Sequence, residues 1–120
     1  MRIQNKTHWD TAALEALIRA ALADAGVKPG HDLVQIVYSR SLGSYRGWCY
    51  YGNVKMTSDR PRMQLRVPEE SLAHLREELD VRWMAYLVRH ECAHWAGLCH
   101  RQMSGRLMTP PKPGDPLPSW

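Results

Sequence analysis

An α+β fold, with a small mixed sheet of three or four strands, a backing helix and a second, longer helix, is predicted by three features of this 120-residue chain. An early segment repeats its apolar residues every three or four positions, as a one-sided helix does. The middle of the chain then breaks into short alternating or continuously apolar stretches separated by Gly, Pro, Ser and Asn, the pattern of strands and turns. From about Asp80 the helical period returns and runs into a histidine-rich sequence. One domain over residues 1–108 accommodates these elements, and residues 109–120 form a Pro-rich tail with little core of its own.

The first helix is expected from about Asp10 to Ala25. Asp10 or Thr7 is placed to cap it, Leu14, Leu17, Ile18, Ala21 and Leu22 form its apolar stripe, and Gly26 stops it. His8 and Trp9, just before it, are read as structural, and His31 beside Asp32 as a loop or capping pair. Leu33 to Tyr38 is apolar on both faces and is predicted to be an interior strand. Arg40 to Tyr45 reads as a loop, Gly47 to Tyr51 as a strand, and Val54 to Met56 as a further extended piece after a bend or a tight turn at Gly52 and Asn53. After the turn at Ser58 to Pro61, Met63, Leu65 and Val67 alternate with Arg62, Gln64 and Arg66, so this strand is expected to have one wet face. Glu69 to Leu79 is expected to be a short helix with Leu72, Leu75 and Leu79 buried. Asp80 then caps the long helix, which Trp83, Met84, Leu87 and Val88 pack against the sheet.

Composition narrows the function classes. At 44% hydrophobic and 23% charged residues the chain is neither a disordered segment nor a membrane span. Met1 to Lys6 leads into no apolar signal-peptide core, and three cysteines without framework spacing suit a reducing compartment, so a cytoplasmic monomer is expected. The net charge of +4 comes from dispersed residues and reads as a solvated surface, which makes nucleic acid an unexpected partner.

Chemistry is concentrated in His90-Glu91-Cys92-Ala93-His94-Trp95-Ala96-Gly97-Leu98-Cys99-His100. On a helix His90 and His94 lie one turn apart on the same face, and Glu91 lies about 100° further round. Gly97 stands where the chain must turn sharply, since a residue without Cβ takes the left-handed conformation at little cost. The turn returns His100 toward the two imidazoles. Three neutral imidazoles fill three corners of a tetrahedron and leave the fourth to water, as in a catalytic zinc site, with one Zn²⁺ per chain. Cys92 and Cys99 are the candidates for a closing fourth ligand, and neither is well placed: one lies well round the helix, the other directly beside a ligand.

This stretch resembles the metzincin zinc peptidases, matching H-E-x-x-H-x-x-G-x-x-H at every fixed position. Leu107-Met108-Thr109-Pro110 is similar to the Met-turn of the matrixin branch, and the resemblance implies that Met108 forms a hydrophobic floor under the imidazoles. It also implies a metzincin-like catalytic domain in which the strand Gly47 to Tyr51 borders the cleft and Trp48, Tyr50 and Tyr51 contact an extended protein or peptide substrate. Arg101 after the third histidine fits no branch, no Tyr follows Met108 at two places, and the Pro-rich tail stands where the family has a helix. The implied activity is that of a zinc metalloendopeptidase, in which a zinc-bound water attacks the peptide carbonyl and Glu91 serves as general base and then acid. Tyr50, Tyr51 and a backbone amide remain alternatives for a second oxyanion donor. Two other readings are a non-catalytic zinc-binding structural or interaction protein and a metal-dependent endoribonuclease of the YbeY type. The latter pattern lacks a Glu beside its first histidine.

Overall fold

The computed structural model describes residues 1–39, 47–52, 59–68, 77–103 and 107–108. Strands β1 (Arg2–Asn5), β2 (Leu33–Ser39), β3 (Gly47–Cys49) and β4 (Met63–Pro68) form one mixed sheet in the order β1-β2-β4-β3. Helix α1 (Thr11–Asp24) connects β1 to its parallel neighbour β2, and helix α2 (Glu77–Trp95) follows β4. β2 pairs parallel with β4, and β3 runs antiparallel to β4 along the sheet edge. The loop at Arg40 to Tyr45, the segment at Val54 to Met56 and the Pro-rich tail lie outside the described residues.

The register explains the core. Val34 is paired with Met63 and Ile36 with Leu65, so four apolar side chains share one face of the two central strands, and all four are 0% exposed. Both helices pack on this face and against each other. α1 contributes Leu14, Ile18, Ala21 and Leu22, and α2 contributes Met84, Leu87, Val88, Cys92 and Trp95. The first helix ends as expected: Asp10 accepts a hydrogen bond from Ala13 N at 2.8 Å, while Thr7 is engaged by Asn5 instead. β2 is interior, as its composition predicted.

Across the sheet the opposite face is polar. Gln35 donates to Gln4 at 2.8 Å, Gln64 donates to Gln35 at 2.6 Å, and the Trp48 indole donates to Gln64 at 3.1 Å. One row of side-chain hydrogen bonds therefore crosses all four strands. It fixes the parallel register where the apolar pattern of a half-open face specifies it weakly.

Two expectations change. β1 was not foreseen as a strand, because Arg-Ile-Gln-Asn carries a single apolar residue. Its backbone pairing with β2, together with Arg2 N donating to Asp32 O at 2.8 Å, overrides that weak signal. The long helix does not begin at an Asp80 cap: α2 already includes Glu77, Glu78 and Leu79, so Asp80 lies inside it. Glu and Leu are strong helix formers, and an interior Asp costs only a few tenths of a kcal/mol beside them, roughly 0.7 kcal/mol or less. Residues 69–76 of the expected short helix lie outside the described residues. Among the described residues no helix is long and apolar enough to cross a membrane.

Candidate metal centre

The end of α2 builds the site. His90 and His94 stand on successive turns with ring centroids 5.0 Å apart, and the chain then stops being helical through a pair of backbone bonds: Leu98 N to Ala93 O at 3.0 Å and Gly97 N to His94 O at 2.9 Å. This is the two-bond helix ending that requires a left-handed residue, and Gly97 supplies it with φ of 102°. The turn carries His100 back, so its ring centroid lies 4.8 Å from that of His94 and 5.2 Å from that of His90.

The three histidines form a group whose ligand nitrogens all lie within 4.8 Å of one another. Nε2 of His94 and Nε2 of His100 are 3.1 Å apart, close to the edge of roughly 3.3 Å expected for two ligands bound tetrahedrally at about 2.0–2.1 Å. The opposite ring nitrogens of two of the three are also accounted for. His90 Nδ1 faces Leu107 O at 2.5 Å and His94 Nδ1 faces Leu98 O at 2.8 Å. A carbonyl only accepts, so each Nδ1 carries the proton and each Nε2 presents a lone pair to the centre. Burial lowers the pKa of both His90 and His94, which keeps them in the neutral form that binds metal. The residues present thus fit a divalent transition metal.

No Cys, Asp or Glu among the described residues joins the group. Cys49, Cys92 and Cys99 are free thiols. Burial pushes the Cys92 thiol up, as it does Cys49, and neither sulfur belongs to the group of converging ligand atoms.

Glu91 occupies the neighbouring face of α2, toward β3. It is 3% exposed, and its Oε2 has no hydrogen-bond partner. Burial pushes its carboxyl up to about 8 in the metal-free protein. A bound cation nearby acts in the opposite sense, favouring the carboxylate. Gly47 makes this position possible: a Cβ there would lie 3.2 Å from Glu91 Oε1 and 2.8 Å from Gln64 O. Gly47 and the carbonyls of Leu98 and Leu107 were not singled out from the sequence. A glycine opening a strand is the signal for such a close approach, whereas a backbone carbonyl leaves no trace in residue identity.

The aromatic residues expected at the substrate cleft separate. Trp48 and Tyr50 lie on the polar face of the sheet, where Trp48 bonds Gln64 and the Tyr50 ring packs at 5.4 Å on Trp48 and at 4.8 Å under the Arg60 guanidinium. Tyr51 instead stands edge-on to the His94 ring at 5.0 Å. The methionines also differ from expectation. Met108 is 39% exposed, whereas Met103 is 6% exposed and packs with Ala93 and Leu107. The cause is local: Leu107 turns its side chain inward and its carbonyl to His90, which leaves the next residue outside. Met103 folds back through its N–H bond to Cys99 O at 3.3 Å.

Gly97→Ala tests the turn. No atom lies within 4 Å of the added Cβ, so the cost is conformational, about 1–2 kcal/mol. It should appear as a lower melting temperature together with weaker metal binding, because His100 is reached only through this residue. An Ala variant matching the parent in both would show that the turn does not set the site.

Fold and site together define a small α+β protein with a three-histidine group of metal-binding geometry. No protein-family model, curated protein or solved structure matches the chain.

Proposed function

We propose that the chain is a zinc-dependent endopeptidase of metzincin type, acting on protein or peptide substrates. The observation that supports this most is the pairing of two features at one helix end: three imidazoles whose ligand nitrogens lie within 4.8 Å of one another, and a buried carboxyl oxygen with no protein partner one residue along. A purely structural metal has no use for such a carboxyl, whose burial without a partner costs folding free energy. A proton-transfer step does.

His90, His94 and His100 would hold the zinc, which would supply a Lewis acid able to polarise a carbonyl and acidify a water. Glu91 then accepts the water proton and returns it to the leaving amine. Its Oε2, which has no protein partner, is the atom to which this reading assigns both transfers. Gly47 leaves room for it, and the carbonyls of Leu98 and Leu107 hold two of the imidazoles in the binding tautomer.

The test is hydrolysis of a mixed peptide library by zinc-loaded protein with and without chelator. Internal cleavage that disappears on chelation and returns with zinc is the expected result. Intact peptides under all conditions would refute the proposal, and chelator-sensitive cleavage of RNA in their place would favour a ribonuclease.

A further inference from the structure

We propose that Tyr51 is a catalytic residue of this site, its phenol donating a hydrogen bond to the anionic oxygen of whatever ligand occupies the open metal position. The inference rests on the three-histidine metal site and deepens the peptidase reading by naming the second donor.

Position just past the edge strand selects the residue. Within β3 Gly47 faces Glu91 and Cys49 packs into the core; beyond its end Tyr51 lies against the His94 ring, while Tyr50 packs on Trp48 instead. The backbone beside Tyr51 is tied to the metal helix: Gly52 N donates to His94 O at 3.4 Å, and a Cβ on Gly52 would meet Gly97 Cα at 4.0 Å. Tyr51 is thereby held against a ligand ring by its neighbour rather than by its own side chain. The ring lies perpendicular to that of His94 at 5.0 Å, and the residue is 47% exposed. Among the described residues its hydroxyl has no hydrogen-bond partner.

This combination distinguishes Tyr51 from a packing aromatic. A core tyrosine buries its ring and satisfies its hydroxyl, whereas Tyr51 keeps a half-exposed ring against His94 and a hydroxyl unbonded among the described residues. A phenol is also the right chemistry, since its O–H donates a hydrogen bond to an oxyanion. Tyr50 lacks the position, because its ring lies between Trp48 and Arg60 on the far face.

The experiment compares parent and Tyr51→Phe, both zinc-loaded with occupancy verified, in acetohydroxamate binding by calorimetry and in peptide hydrolysis. Phe retains the ring against His94 and removes only the donor, so the fold should persist. The variant should bind acetohydroxamate roughly 10- to 100-fold more weakly, as expected for a lost hydrogen bond to a charged oxygen. Its kcat should fall with little change in KM. Equal acetohydroxamate affinities would overturn the role of Tyr51, even if the parent cleaves peptides. Weakened binding in a protein that cleaves no peptide would uphold Tyr51 and refute the peptidase reading. A parent that takes up no zinc would overturn both.

Discussion

Glu91→Gln should keep its zinc and lose its chemistry. Gln preserves the size of the side chain under Gly47, and the three ligands are untouched, so metal content and peptide binding should match the parent. What disappears is the proton acceptor, worth about 10² to 10⁴ in rate or more. The measurement is kcat/KM for a cleaved peptide, with zinc occupancy confirmed in both proteins. Because Glu91 is buried with one oxygen unpartnered, the variant should also be no less stable than the parent in metal-free form. Parent-like cleavage by a zinc-loaded Gln variant would exclude Glu91 as the base.

The second large effect is expected from removing the metal. The ion would join the segment after Gly97 to the end of α2, since His100 reaches the centre only through that turn. A ligand present at a thousand times its dissociation constant stabilises the folded state by about 4 kcal/mol. For a domain of this size that corresponds to a melting shift of roughly 10–20 °C. Chelation should produce this shift, with amide protection falling most after Gly97. His90→Ala should reproduce it without chelator, losing metal and activity together. A melting curve unmoved by verified metal removal would mean that the fold does not use the ion.

Those two effects follow from residues whose spacing alone is informative. His90, His94 and Gly97 are linked by helix geometry, so their placement was legible in the sequence, and His100 followed from the turn. The alternation at Met63 to Val67 and the apolar run at Leu33 to Tyr38 likewise specified strands, and the stripe from Leu14 to Leu22 specified α1 and its buried side. These are local periodicities, and local periodicity survives in one dimension.

What was not legible depends on partners far away in the chain. β1 is a strand because β2 is beside it, and no property of Arg2 to Asn5 announces that. The row linking Gln4, Gln35, Gln64 and Trp48 arises from register, which three isolated glutamines do not encode. Trp48, Tyr50 and Tyr51 look equivalent as aromatic neighbours, yet Trp48 and Tyr50 pack on each other while Tyr51 meets His94. Met108 was favoured over Met103 by the turn chemistry around it. The outcome was decided instead by which side chain Leu107 left outside when its carbonyl met His90.

The central claim is that His90, His94 and His100 together hold one metal ion with no protein atom in the fourth position. Anomalous diffraction at the zinc absorption edge, from crystals of protein purified without chelator, tests it most directly. One peak per chain is expected, about 2.0–2.1 Å from Nε2 of each of the three histidines, with a solvent-derived ligand completing the tetrahedron. No peak in zinc-supplemented crystals, or a peak bound by the sulfur of Cys92 or Cys99, would contradict it.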